Sequence, residues 1–117
     1  MFDLNMDNEA YNYMQEIWGS AVSDATFVEH ICEDTNTSFC HGWSAAPVVF
    51  LMRYTLGIKP LNPGWTKVEI IPHPGNLQWA KGSVITPLGN VDIDWKVTDG
   101  GIDLNIKAPE GMDIIRK

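Results

Sequence analysis

The hydrophobic positions of this chain change their spacing near Gly57, and the change divides the sequence into a helical part and a stranded part. Ala10, Tyr11, Met14, Ile17 and Trp18, with Ala21 and Val22 beyond, fall near the three- and four-residue intervals of one helix face, while Asn12, Gln15 and Glu16 occupy the other. The spacing predicts a helix over about Glu9 to Trp18, with Asp7 or Asn8 as N-cap and Gly19 ending it, because glycine tolerates left-handed backbone. The stretch before Glu29 keeps a helical look. A second helix is predicted from Ser44, a capping residue, through Pro47 in its first turn to Gly57, with Pro60 behind it.

The second helix has no polar face. From Ala45 to Met52 every side chain is apolar, and the first charge is Arg53. One neighbouring helix covers only a stripe of such a surface. At about 25 cal/mol per Å² of apolar area, several of these side chains left wet cost several kcal/mol, comparable with the stability of a small domain. The pattern therefore predicts that further elements, or a second copy of the chain, cover this helix.

Past Gly57 the run Ile58 to Gly64 is rich in proline and glycine and reads as a connection, after which the period becomes two. Val68 and Ile70 alternate with Lys67 and Glu69 over Thr66–Ile71, and Pro72-His73-Pro74-Gly75 breaks that strand. Leu77 to Thr86 reads as extended, with Gly82 a candidate bulge or sheet-edge bend. Val91, Ile93, Trp95 and Val97 face one way over Asn90–Thr98, and Asp99-Gly100 makes a tight turn into Ile102, Leu104 and Ile106. A short strand from Met112 to Ile115 closes the chain. Antiparallel strands with one wet and one dry face describe half of a β-sandwich.

Charge and composition narrow the function. The 117 residues, 44% hydrophobic, suffice for one domain-sized core. Eight basic against fifteen acidic residues give a net charge of −7 with no Lys/Arg cluster, so nucleic acid is excluded as an expected partner. The longest apolar run is far short of a membrane span, and the N-terminus lacks the basic-then-apolar order of a signal peptide. The expectation is a soluble chain without an address of its own. Cys32 and Cys40 read as free thiols, although a bridge across their loop is open to them.

Chemistry-bearing residues concentrate between Ala25 and Trp43: Glu29, His30, Cys32, Cys40, His41 and Trp43. Glu29 reads either as a functional carboxylate or as a solvated acid beside a helix, and His41 either as a ligand-contacting or as a capping or hydrogen-bonded histidine. His30, Cys32, Cys40 and His41 also offer zinc ligand types, but His-x-Cys … Cys-His is no standard knuckle, and no cofactor or metal is expected. Trp95 is assigned to the core by strand alternation and Trp18 by its helix face. Trp65 and Trp79 are left unassigned.

The runs Thr37–Pro47, Leu56–Pro60 and Pro63-Gly64 resemble the end of the catalytic domain of bacterial α-L-rhamnosidases, glycoside hydrolase family 78. Val68–Pro72, Ala80–Gly89 and Val91–Trp95 resemble the C-terminal β-sandwich that follows in that family. The resemblance implies an α+β fragment: the last helices of an (α/α)6 barrel over 1–57, a linker over 58–65 and an antiparallel β-sandwich over 66–117. It further implies inverting hydrolysis of terminal α-L-rhamnose. Ala25-Thr26-Phe27-Val28-Glu29 is similar to the run that ends in the family's general base, which places that role on Glu29. Ser38-Phe39-Cys40-His41-Gly42-Trp43 is similar to its sugar-contacting Ser-x-x-His-x-Trp run, which places His41 and Trp43 at the substrate. The family's general acid lies upstream of the matched region and nothing in Met1–Asp24 resembles it, so the chain is expected to be inactive alone. Its expected partners are a rhamnose-containing glycoside, the remainder of the barrel, and a second copy through the exposed helices. A carbohydrate-binding β part is the remaining alternative, weakened because no exposed aromatic row is evident in the strands.

Overall fold

A computed structural model describes residues 1–19, 22, 23, 26, 27, 29, 38 and 41–116. It contains two compact units, Met1–Phe50 and Leu51–Lys117.

In the first unit a short 3₁₀ turn, Phe2–Leu4, precedes helix α1, Asp7–Trp18. Phe2 is buried with its ring edge-on to Tyr11 at 5.1 Å, and α1 buries Ala10. The N-cap is Met6, one residue before the predicted caps, and Asp7 instead lies in the first turn, where a carboxylate favours the helix dipole. Gly19 is right-handed (φ −58°, ψ −34°) and its N–H donates to the Gln15 carbonyl at 2.9 Å. Gly19 is thus the C-cap at the expected position, in right-handed rather than left-handed backbone. Trp18, expected in the core, is half-buried and edge-on to Tyr13 at 6.4 Å.

The helical look does not continue to Glu29. Strands β1 (Val22–Ser23) and β2 (Thr26–Phe27) pair antiparallel, Val22 with Phe27 and Ser23 with Thr26. β-branched and aromatic residues favour such pairing over a helix, which is why the periodicity misleads here. The second helical segment starts earlier than predicted, as a 3₁₀ turn over Gly42–Ala45 with His41 as N-cap, and becomes helix α2 over Ala46–Phe50. Pro47, which has no N–H to donate, is buried within the first turn of α2.

The second unit opens with a wide π-helical turn, Leu51–Thr55, in which the Leu56 N–H reaches back to the Leu51 carbonyl at 2.8 Å. Gly57 follows with φ +81°, and the chain enters β3, Ile58–Pro60. That strand lies within the stretch read as a connection, and its Ile58 is fully buried. β3 pairs antiparallel with β4, Lys67–Ile70, and β8, Asp113–Arg116, pairs with the other edge of β4 in parallel. The wholly antiparallel arrangement expected from the sequence is corrected at this pair. A parallel return needs a long crossover, and here the crossover is the entire second sheet.

That sheet is a meander of β5 (Trp79–Thr86), β6 (Gly89–Thr98) and β7 (Gly101–Lys107). Its β6–β7 turn is the predicted Asp99-Gly100 pair, closed by Thr98 opposite Gly101. Gly82 pairs with Ile93 in unbroken register, so it is no bulge. A Cβ on Gly82 would lie 2.8 Å from Leu56 Cδ1, so the glycine serves close packing under that side chain. Ile58, Val68 and Ile70 from one sheet and Val84, Val91, Ile93 and Trp95 from the other form one buried cluster. The described residues thus form a small α+β arrangement of two α-helices, the β1–β2 pair and two three-stranded sheets, and the two three-stranded sheets share a core. Among the described residues no helix is long and apolar enough to cross a membrane.

Candidate functional site

Glu29 and His41, placed by sequence on opposite sides of a polar loop, are brought together in the first unit. His41 Nδ1 lies 3.6 Å from Glu29 Oε2. The backbone fixes the carboxylate from a second direction: the Ser38 N–H donates to Glu29 Oε2 at 3.1 Å, while the Glu29 N–H donates to the Ser38 carbonyl at 2.9 Å. Glu29 and Ser38 are thus tied by two bonds that bracket the loop between them.

Local structure explains how His41 reaches this position. Its backbone is extended (φ −127°, ψ 130°) as N-cap of the Gly42–Ala45 turn, and the turn closes through the Ser44 N–H to the His41 carbonyl at 3.2 Å. No side-chain capping bond is made, so the capping alternative for His41 describes its backbone position but not its imidazole. Ser44, predicted as the cap, sits inside the turn, buried, with its hydroxyl 3.5 Å from the Glu29 carbonyl oxygen. The pair therefore rests on a loop closure at Ser38 and a helix start at Ser44.

Both side chains remain within reach of solvent, with 24% exposure for Glu29 and 35% for His41. A carboxylate held by a backbone N–H and set beside an imidazole has the reach to accept a proton from water or a hydroxyl. At 3.6 Å the imidazole is too far for a strong hydrogen bond in this geometry.

The Trp43 side chain lies outside the described residues, as do Ala25, Val28, His30, Cys32 and Cys40. The proposed zinc set thus contributes only His41 to the described residues, among which no group of three metal-ligating side chains occurs. Trp95 is buried as predicted, and its indole N–H donates to the Thr55 carbonyl at 2.7 Å. Trp79, left unassigned by the sequence, is 65% exposed on the outer face of β5. Strand alternation carried that signal, since Trp79 shares the parity of Lys81 and Ser83 and opposes that of Val84.

Comparison with known proteins bears on the whole chain. Residues 57–114 match the family described as the bacterial alpha-L-rhamnosidase C-terminal domain. An alpha-L-rhamnosidase of Alteromonas sp. (strain LOR) is 40% identical over 55 residues, which cover 46% of this chain and 6% of that protein. Among solved structures, the family 78 rhamnosidase of Bacillus sp. GL1 is similar over 98% of the chain, with a TM-score of 0.77 and 28% identity. The alpha-L-rhamnosidase of Dictyoglumus thermophilum is similar over 89%, with a TM-score of 0.66 and 28% identity. The chain spans 13% and 12% of those two structures. The family match falls within the second unit, whereas the Glu29–His41 pair lies in the first, which the Bacillus likeness also covers.

Proposed function

The chain belongs, through residues 57–114, to the bacterial α-L-rhamnosidase C-terminal domain family, and from that premise we propose that it is the C-terminal part of a longer enzyme removing terminal α-L-rhamnose with inversion. In this reading the first unit supplies the last helices of an (α/α)6 barrel and the second the β-sandwich that follows it in sequence. Val48 and Val49, each about half exposed, support the first assignment, because they are the faces that neighbouring barrel helices would cover.

The observation that carries the proposal is the placement of Glu29 Oε2, held by the Ser38 N–H at 3.1 Å and 3.6 Å from His41 Nδ1. Glu29 acts as general base: its carboxylate takes a proton from a water as that water attacks the anomeric carbon. The glycosidic bond breaks on the opposite side of the ring, where a carboxylic acid must protonate the leaving oxygen. Inverting pairs stand about 6.5–9.5 Å apart to admit the water. In this reading the acid is supplied by other elements of the barrel. His41 orients a sugar hydroxyl, and Trp43 packs against the apolar side of the pyranose.

Glu29 without an acid is half of a pair, and a missing general acid costs on the order of 10²–10⁴ in rate. The chain alone is expected to release no measurable rhamnose from an aryl α-L-rhamnoside. It is expected to bind L-rhamnose weakly, with shifts of the Glu29 and His41 amide signals that His41→Ala removes. Rhamnose release abolished by Glu29→Gln would overturn the division of acid and base, and an unresponsive His41 would overturn the sugar contact.

A further inference from the structure

The outer face of the β5–β6–β7 sheet carries rows of charged and polar side chains, with the exposed Trp79 before them and the exposed Ile85 after them on β5. Alternation turns Val84, Val91, Ile93 and Trp95 into the core and leaves the intervening side chains outside. The register sets them in rows: Lys81, Asp94 and Asn105 in one, Ser83, Asp92 and Lys107 in the next. A hollow of about 510 Å³ lies over these two rows. Trp79 stands one row before them, opposite Lys96, and is 65% exposed.

The chemistry of this face selects its ligand. Two lysines and two aspartates cancel, and Lys81 Nζ lies 3.7 Å from Asp94 Oδ2, so a phosphate or a metal ion meets a like charge as well as an opposite one. A neutral polyol is better matched. Its hydroxyls both donate and accept, and they find carboxylate acceptors, ammonium donors, and a serine and an asparagine that do both. Successive rows on one strand face are about 6.6 Å apart, close to the length of one pyranose unit. An indole presented to water beside them offers the flat apolar surface that a pyranose ring covers with its C–H face. Core packing does not use Trp79, since β5 turns Val84 and Thr86 inward instead.

We propose that this face is a sugar-binding surface separate from the Glu29–His41 site, taking a neutral oligosaccharide with one ring on Trp79 and the following rings over the Lys81 and Ser83 rows. It does not depend on the rhamnosidase reading. The test is an amide-shift titration of the 117-residue chain with two probes, a rhamno-oligosaccharide and a cello-oligosaccharide. Saturable shifts at Trp79, Lys81, Ser83, Asp94 and Asn105 with at least one probe are expected. Trp79→Ala and Asp94→Ala each weaken that binding by about tenfold or more, with the sheet's remaining amide pattern intact, and Glu29→Gln leaves it unchanged. No shift on this face with either probe, or shifts undiminished by Trp79→Ala, would overturn the proposal. Loss of the rhamnose response at His41 while these shifts persist counts against the catalytic reading alone.

Discussion

At the scale of single residues, two positions in the second unit are fixed by close approach and a third by a buried carbonyl. A Cβ on Gly57, at φ +81°, would lie 2.3 Å from the Ile71 carbonyl carbon and 2.4 Å from Pro72 N, both backbone atoms that cannot swing aside. Gly57→Ala is therefore expected to destabilise the chain by about 2–4 kcal/mol, read as a lower urea midpoint. Gly82 meets only the flexible end of Leu56, and Gly82→Ala is expected to cost less. An equal loss at the two glycines would contradict this ranking. Trp95 donates its indole N–H to the Thr55 carbonyl, and Trp95→Phe leaves that buried oxygen without this donor. A loss of about 1–3 kcal/mol is expected, with an unchanged denaturant slope. A midpoint identical to the parent's would show that the bond contributes nothing.

At the scale of elements, the sequence revealed most where one face is wet and one dry. Strands β4 and β6 were legible because burial of Val68, Ile70, Val91, Ile93 and Trp95 imposes a period of two, and β7 because Leu104 and Ile106 alternate half-buried against the same core. What stayed hidden was set by partners distant in sequence. Ile58 sits in a Pro/Gly-rich run that looks like a connection, and becomes core only because β4 and the second sheet close over it. β8 runs parallel to β4, a direction that alternation cannot encode. Within the site, Glu29 and His41 were named from resemblance, but the Ser38 backbone that fixes the carboxylate was not, since a main-chain donor has no residue signature. The apolar α2 segment carries its own prediction. Val49→Glu on the exposed face is expected to reduce self-association in sedimentation measurements, without loss of helix signal. A monomer before and after the change would show that this face recruits no second copy.

At the scale of the whole molecule, the two units carry different kinds of information. The second matches a rhamnosidase C-terminal domain by sequence, while the first holds the acid–imidazole pair and rests on structural likeness to the Bacillus enzyme. The zinc alternative separates cleanly from this account: purified chain is expected to contain no stoichiometric zinc, and one zinc per chain would reassign His41 to a metal. The proposed role of Glu29 is to complete a rhamnose-cleaving pair whose acid lies on other barrel elements. It is tested most directly by replacing the matching segment of the Bacillus sp. GL1 rhamnosidase with this chain and measuring initial rates on an aryl α-L-rhamnoside. The chimera is predicted to hydrolyse it with inversion and to lose on the order of 10²–10⁴ in kcat with Glu29→Gln. An active chimera whose kcat is indifferent to Glu29→Gln would contradict the account.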